Sequence, residues 1–225
     1  MKFLLKIISI LFGKSFFLYM NKLRLGLKMV TDKNGYLIKT GYIDSKLNNT
    51  LKVNNEFLPW FNFSFIELLK ERLSSDLNVF EYGSGASTLF FSNRCKQVSS
   101  IEHDKNWFDK IKILVSRNSN INLYFYNLDD NYPNSINQIS PNKKYDIIVI
   151  DGRMRSDCCF AIKDNLKSTS VIILDDSDRK RYKEGISFLH SLGFSQLNFQ
   201  GLKPLGYKID QTSLFYRPGS NCFNI

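Results

Sequence analysis

Residues 80–88, FEYGSGAST, decide the fold class of this 225-residue chain. The run NVFEY (78–82) has the length and apolar character of a buried strand, and glycines follow it at positions 83 and 85. A helical pattern starts near residue 86, so the segment reads as strand, glycine turn and helix, which is the order of a nucleotide-binding unit. In an open α/β sheet such a turn lies at the carboxyl edge of the strands, where ligands bind.

Strands and helices alternate outward from this turn to the end of the chain. Seven segments predict strands: NVFEY, QVSSIEH, INLYFYN, YDIIVIDG, SVIILDD, FSQLNFQ and QTSLFYR. Most of them are separated by helical patterns, near 86–94, 105–117, 156–167 and 179–192. We therefore predict an α/β fold with a mostly parallel seven-stranded sheet and helices on both faces. The last two strands have no helix between them, so we expect a hairpin that leaves the last strand antiparallel.

The N-terminal segment 1–30 is predicted to be a basic amphipathic arm. It holds six Lys and Arg residues and no Asp or Glu, whereas residues 31–225 hold 25 basic and 21 acidic residues, so most of the net charge of +10 lies in the arm. Its polar residues recur at helical spacing: Lys2, Lys6, Ser9 and Gly13. Residues 1–20 would lie on an anionic membrane surface, or dock on the domain or on a second copy of the chain as a homo-oligomer contact. Lys6 and Lys14 argue against a membrane span.

The remaining chain is predicted to form two further parts. Residues 31–76 are interpreted as a linker with a short hairpin around Asn34 and Gly35, followed by a lid or first helix that starts at Pro59. Residues 77–225 are predicted to be the ligand-binding domain. Four cysteines without a C-x-x-C pair favour a cytoplasmic chain, peripheral to the inner face of the membrane if the arm binds there, and two histidines exclude a multi-histidine metal site.

The glycine turn alone does not identify its ligand. A dinucleotide fingerprint needs glycine at 83, 85 and 88, but position 88 is Thr. A methyl-donor turn of the E/D-x-G-x-G-x-G type needs glycine at 83, 85 and 87, but position 87 is Ser. Each pattern is matched at two of its three glycines.

The order of several motifs resembles the class I S-adenosylmethionine (SAM)-dependent methyltransferases. The motifs lie within residues 77–217: Glu81 before GSG, Glu102 after the second strand, YDIIVIDG and the closing hairpin. The longer stretches PWFNFSFIELL, FEYGSGASTLFFS, VSSIEHDKNW and IIVIDGRMRSDC are similar to a bacterial subgroup associated with surface-polysaccharide gene clusters. The resemblance implies a Rossmann-like sheet, SAM as the cofactor and methyl transfer as the reaction.

The resemblance also implies which residues bind the cofactor. Gly83 and Gly85 would line the amino-acid end of SAM, and Glu81 would contact or orient its amino group. Glu102 would accept hydrogen bonds from the ribose hydroxyls, a role that suits a carboxylate because it can accept from two neighbouring hydroxyls. Asp129, after the third strand, is a candidate for the adenine amino group. The candidate cofactor-binding residues are Glu81, Gly83, Gly85, Ser87, Glu102 and Asp129.

Three aspartates are predicted to converge at the carboxyl edge of the sheet. Asp151 ends the fourth predicted strand, and Asp175 and Asp176 end the fifth. Such a cluster is costly unless a cation lies among the carboxylates. One alternative is Mg²⁺, because the acid pattern is similar to that of macrocin-type sugar O-methyltransferases, in which the metal would hold vicinal hydroxyls and lower the pKa of the attacking one.

Arginine is the other candidate cation at this edge. The segment DGRMR places Arg153 and Arg155 beside the first acid, and Arg179 follows the second pair. These side chains could neutralise the carboxylates without a metal, or bind an anionic substrate. In a third alternative the acids only cap helices and loops. The candidate catalytic residues are Asp151, Asp175, Asp176 and Arg153, and the same three aspartates are the candidate metal ligands.

The first functional hypothesis is therefore an O-methyltransferase that acts on a hydroxyl of a sugar or glycolipid, with a small-molecule or glycan acceptor. The alternatives are a methyltransferase for RNA or protein, and a non-catalytic interaction module that keeps the fold. Nucleic acid is disfavoured as a partner because the excess positive charge is confined to the arm rather than spread over the domain.

Overall fold

The computed structural model describes residues 2–129 and 131–225, and the side chains of 13–129 and 131–225. The chain divides into two compact units, of which the first ends at Thr50 and the second is Leu51–Ile225. The predicted segment 31–76 is thus shared between the units.

The first unit is helical. Its helices are α1 (Lys2–Thr31), α2 (Tyr36–Lys39) and α3 (Tyr42–Asn48). Gly13 breaks the helical geometry of α1 with a left-handed φ of 83°. Beyond that kink many apolar side chains are exposed, among them Leu18, Tyr19, Leu23, Leu25 and Leu27. The predicted polar residues Lys2, Lys6 and Ser9 lie outside the described side chains. Within the described residues no helix is both long and apolar enough to span a membrane.

The hairpin predicted around Asn34 and Gly35 is wrong. Asp32 Oδ1 accepts a hydrogen bond from the Asn34 amide at 3.0 Å, and the Asp32 carbonyl accepts one from the Gly35 amide at 2.8 Å. This turn leads directly into α2, because the aspartate satisfies the amides that a strand would pair.

A hairpin does occur at the start of the second unit. Strands β1 (Lys52–Val53) and β2 (Glu56–Phe57) pair antiparallel. Asn54 and Asn55 join them with φ of 50° and 62°, which is the left-handed geometry that asparagine tolerates in tight hairpin turns. Helix α4 (Phe63–Arg72) follows, and the Asn62 side chain caps it by accepting from the Phe65 amide at 3.0 Å.

The main sheet has the seven predicted strands. They are β3 (Asn78–Tyr82), β4 (Gln97–Glu102), β5 (Ile121–Phe125), β6 (Tyr145–Ile150), β7 (Leu166–Asp175), β8 (Ser195–Gly201) and β9 (Asp210–Tyr216). The α-helices among them are α5 (Ala86–Ser92), α6 (Lys105–Leu114), α7 (Ser135–Ile139), α8 (Arg155–Ala161) and α9 (Lys183–Ser191). The strand order is β5-β4-β3-β6-β7-β9-β8, and β9 is antiparallel to both of its neighbours. The predicted Rossmann-like fold class is confirmed, including the antiparallel last strand.

The strand order places the glycine turn at the topological switch point. Strand β3 pairs in parallel with β4 on one side and with β6 on the other, and the chain runs from β3 outward in both directions. The switch point of such a sheet is where ligands bind. The central strands are buried on both faces, as their continuous apolar sequences require, and β6 is buried at every position.

Candidate active site

The glycine turn after β3 is pressed against the loop after β6. Gly83 has φ +91°, and a Cβ added to it would lie 3.0 Å from the Gly152 Cα. A Cβ on Gly152 would lie 2.2 Å from the hydroxyl of the buried Tyr132. Both positions therefore need glycine, and this contact brings the loop that carries Asp151 next to the turn.

Gly85 differs from these two glycines. Its backbone is extended, with φ 174°, and apart from its chain neighbours no atom of the described residues lies within 4 Å of the place a Cβ would take. The backbone at Gly85 therefore borders open space, as a turn that cradles a ligand must.

Glu81 lies beneath the turn and is fully buried. Its Oε2 accepts hydrogen bonds from Thr88 at 2.5 Å and from Ser100 at 2.9 Å, while Thr88 Oγ1 in turn accepts from the Gly85 amide at 3.0 Å. The other oxygen, Oε1, is buried and accepts no hydrogen bond from any residue that the structure describes. A buried carboxylate oxygen without a donor is costly, so this atom is a candidate acceptor for a ligand cation or N–H group.

Burial raises the pKa of Glu81 to about 7, against the opposing effect of the nearby hydroxyl groups of Ser87, Thr88 and Ser100. The folded state therefore keeps a proton up to about pH 7, whereas the unfolded chain releases it near the ordinary value of 4.5. Between these pH values the folded state binds more protons, so the free energy of unfolding must fall as the pH rises.

Glu81→Gln removes this pH dependence. We expect the fall in unfolding free energy between pH 4.5 and 8 to be smaller in the variant than in the wild type by about 3 kcal/mol. Urea denaturation across that range measures the difference. Glu67→Gln, which changes an exposed glutamate on α4, is the control and should leave the pH profile unchanged. If the unfolding free energies of the wild type and Glu81→Gln changed with pH in the same way, the raised pKa would not belong to Glu81.

Glu102 lies beside the turn at the end of β4. Its Oε2 accepts from the amide and the hydroxyl of Ser84, both at 3.2 Å, and its Oε1 accepts from the amides of His103 and Asp104 at 2.8 and 2.9 Å. Trp107 closes the arrangement, because its indole N–H donates to the Ser84 carbonyl at 2.8 Å. Glu102 therefore holds the turn, and its longest hydrogen bonds are those to Ser84.

The other two predicted cofactor residues take different places. Ser87 is buried close to Glu81, where it acts to lower the pKa of that carboxyl. Asp129 is exposed in the loop after β5, where its Oδ1 accepts from the Asn131 amide at 2.9 Å. Five of the six predicted cofactor-binding residues therefore lie together around the glycine turn: Glu81, Gly83, Gly85, Ser87 and Glu102. The sixth, Asp129, lies in the loop after β5 and hydrogen-bonds within that loop.

Arg155 lies at the centre of the aspartate cluster. The side chain of this first residue of α8 is 9% exposed, and its Nε–H donates to the Gly152 carbonyl at 3.0 Å. One Nη atom donates to the Asp151 carboxylate at 2.8 Å and to the Asp151 carbonyl at 3.1 Å. The other donates to the Asp175 carbonyl and lies 3.8 Å from the Asp175 carboxylate and 3.4 Å from that of Asp176. One guanidinium therefore faces all three carboxylates.

Further cations and one hydroxyl complete the cluster. Asp176 is also paired with Arg179 at 2.6 Å and with Lys203 at 3.7 Å, and Asp175 accepts from Thr212 at 2.7 Å. Asp176 has a left-handed φ of 52°. Asp175 lies on β7 and Thr212 lies on the neighbouring strand β9. The contact between them therefore depends on the antiparallel pairing of β9 with β7.

The pKa values of the cluster follow from burial and charge. Burial, with the neighbouring Asp175 carboxylate, raises the pKa of Asp151 well above its usual range, and the charge of Glu81 acts on Asp151 in the same direction. Burial and the Asp176 charge raise the pKa of Asp175. Burial opposes the charge on Arg155, but the Asp151 and Asp175 carboxylates outweigh it and raise the pKa of Arg155. Arg155 therefore stays charged.

This geometry fits the arginine alternative and not the metal alternative. The guanidinium of Arg155 occupies the space between Asp151, Asp175 and Asp176, where a cation would have to bind. In the part of the chain that the structure describes, no three His, Cys, Asp or Glu side chains are grouped as metal ligands. The proposed magnesium site at these aspartates is therefore not supported by the residues present.

The assignment of Arg153 to the cluster also needs correction. Its side chain is exposed and makes no hydrogen bond or ion pair with the described residues. Met154, between the two arginines, has a left-handed φ of 47°, and this turn directs Arg155 inward and leaves Arg153 outside. Arg153 lines a cleft of about 230 Å³ next to the cluster.

Several site residues were missed by sequence reasoning. Gly152 and Thr88 carried local signals, since Gly152 directly follows Asp151 and Thr88 lies in the first turn of the helix after Gly85. Arg155 was predicted as a candidate cation but not as a catalytic residue. Lys203 and Tyr132 carried no such signal. Both lie in loops, and the position of a loop depends on the tertiary structure.

No protein-family model matches the chain, and no curated protein matches it significantly. Solved structures do match. Precorrin-6y C5,15-methyltransferase from Geobacter metallireducens is 17% identical, with a TM-score of 0.53 over 69% of this chain and 88% of that chain. Precorrin 8W decarboxylase from Methanobacterium thermoautotrophicum is 20% identical, with a TM-score of 0.53 over 76% and 97% of the two chains.

A third match was solved with a ligand. This Streptococcus mutans protein, in complex with SAH, is 12% identical, with a TM-score of 0.51 over 71% of this chain and 99% of that chain. At these identities the matches show the fold. The chain therefore has the sheet architecture found in methyltransferases, and its activity must be argued from its own residues.

Proposed function

We propose that this chain is a SAM-dependent methyltransferase that transfers a methyl group to a hydroxyl of a sugar or glycolipid. The observation that carries the proposal is the open backbone at Gly85 beside the unpartnered Oε1 of Glu81. An amino acid with a free ammonium group would satisfy both features, and SAM has such an end. The sugar acceptor rests on the sequence resemblance.

Three groups of the chain would hold SAM. Gly83 and Gly85 would line its amino-acid end, and Glu81 Oε1 would accept from its ammonium group. At Glu102 we expect a ribose hydroxyl to take the place of the Ser84 hydroxyl, because the Ser84 bonds, at 3.2 Å, are the weakest that this carboxylate accepts. Asp129 remains the candidate for the adenine amino group.

Bound SAM supplies an electrophilic methyl group, so the chain must position the acceptor hydroxyl and remove its proton. Asp151 is our candidate for the base. Only its Oδ1 is bonded to Arg155, and its Oδ2 accepts no hydrogen bond from the described residues. Its raised pKa suits a base that must take a proton from a hydroxyl, and Arg155 would hold the carboxylate in place.

Binding of SAM to the full-length chain tests the proposal by titration calorimetry. We expect Gly85→Ala to weaken binding at least tenfold while the free energy of unfolding stays within about 1 kcal/mol, because the new methyl group enters space that only a ligand would fill. Gly201→Ala in β8 is the control, since its added Cβ meets only ordinary contacts at 3.7 Å or more.

Two outcomes would contradict the proposal. If SAM binds neither the wild type nor the control, the non-catalytic module becomes the better interpretation. If SAM binds Gly85→Ala as tightly as the wild type, SAM does not lie against this turn.

A further inference from the structure

A cationic cleft opens beside the aspartate cluster. It is lined by the loop after β6 and by the segment that leads into α9, and it measures about 230 Å³. Its charged lining residues are Arg153, Arg155, Arg179, Arg181 and Asp157. Gly152 also lines it, and the same glycine contacts the turn at Gly83, so the cleft is next to the candidate cofactor site.

The four arginines differ in how much of their charge is already paired. Arg155 is buried and faces three carboxylates. Arg179 forms an ion pair with Asp176 at 2.6 Å, and its side chain is 46% exposed. Arg181 is exposed and donates one hydrogen bond, to the neutral hydroxyl of Tyr182 at 2.8 Å. The side chain of Arg153 is exposed and makes no hydrogen bond or ion pair with the described residues, although the Arg153 carbonyl accepts from Cys158. Arg153 and Arg181 thus bring two positive charges without a bound carboxylate into a cleft that has one exposed aspartate.

We propose that this cleft binds a phosphate group carried by the methyl acceptor, so that the acceptor is a sugar phosphate or a similar small phosphorylated molecule. This proposal rests on the proposed function, because the chain has a methyl acceptor only if it is a methyltransferase. Arginine binds phosphate through paired N–H donors in a fixed fork, and a phosphate dianion balances the charges of Arg153 and Arg181. A neutral sugar would leave both guanidinium groups without an anion.

The size of the cleft favours a small molecule over a polynucleotide. At about 230 Å³ the cleft is smaller than most ligand pockets, which measure about 300–1,000 Å³, so it would enclose an anionic group and only part of the molecule that carries it.

Calorimetric titration of the full-length chain without SAM tests the site with three probes: inorganic phosphate, glucose 6-phosphate and glucose. We expect both phosphates to bind in the millimolar range or tighter, with glucose 6-phosphate tighter than inorganic phosphate, and glucose to give no heat. The double variant Arg153→Gln/Arg181→Gln should weaken phosphate binding at least tenfold. Lys110→Gln/Lys112→Gln, which removes the same charge from the exposed face of α6, is the matched control and should bind as the wild type does.

Other outcomes overturn the phosphate site. Equal loss in the lysine control would mean unspecific charge attraction, and displacement of phosphate by SAM would make the arginines part of the cofactor site. A short single-stranded RNA that binds more tightly than glucose 6-phosphate, with the same arginine dependence, would replace the small acceptor by RNA. Since SAM binding is measured separately, failure of the phosphate site leaves the proposed function standing, and failure of SAM binding leaves the phosphate site measurable.

Discussion

Arg155→Met is expected to destabilise the second unit by about 3–5 kcal/mol at pH 7. The substitution keeps much of the side-chain volume but removes the guanidinium group that faces Asp151, Asp175 and Asp176 together. Each carboxylate is then left near the others without compensation, and the Gly152 and Asp175 carbonyls lose their donors. Removing one partner of a buried ion pair is far more costly than removing a surface pair, because the remaining charge stays desolvated.

Urea denaturation of the full-length chain measures this effect against Arg179→Met. Arg179 pairs with the same Asp176 at 2.6 Å, but its side chain is 46% exposed, so we expect a loss below about 1 kcal/mol. Arg155→Lys should fall between the two, since lysine keeps the charge but cannot donate to all of these acceptors. The penalty of Arg155→Met should also shrink as the pH falls and the aspartates become protonated. A loss no larger than that of Arg179→Met would contradict the central role of Arg155.

Asp151→Asn is expected to lower the rate of methyl transfer by about 10²–10⁴-fold while SAM binds within about threefold of the wild-type affinity. The amide cannot take the proton of an acceptor hydroxyl, but it can still accept the hydrogen bond from Arg155, so the cluster keeps its geometry. The rate is measured as tritium transferred from methyl-labelled SAM to a panel of sugars and sugar phosphates.

The pH profile separates a base from a structural residue. Because burial raises the pKa of Asp151, the wild-type rate should rise with pH through a value above that of an ordinary aspartate, and Asp151→Asn should lose this rise. Asp164→Asn is the control, since it removes an exposed carboxylate that lies outside both the cleft and the aspartate cluster, and it should leave the rate and the pH profile unchanged. A variant that retains the wild-type rate and pH profile would remove Asp151 from the reaction.

Local sequence pattern was sufficient to predict the sheet. Apolar runs such as YDIIVI and the glycines at 83 and 85 specify strand and turn through the chemistry of a few neighbouring residues. Long helices and strands were therefore placed within a few residues, and Glu81 and Glu102 were correctly placed at the carboxyl edge. The hairpin was misplaced, because Asn34–Gly35 and Asn54–Asn55 are both turn-forming pairs and only the second joins two strands.

The sequence by itself determined the fold class, the glycine turn and the convergence of acids at one edge, because these depend on residue spacing along single elements. Only the tertiary structure decided the cation among the acids. Arg153 and Arg155 both lie close to Asp151 in the sequence, and the sequence does not tell which of them enters the cluster. The left-handed turn at Met154 leaves Arg153 in solvent and directs Arg155 into the cluster. Lys203 and Thr212 come from distant segments that the insertion of β9 brings to Asp176 and Asp175. Burial then set the pKa of Glu81 and Asp151, since desolvation depends on what packs around a carboxylate and not on its neighbours in the chain.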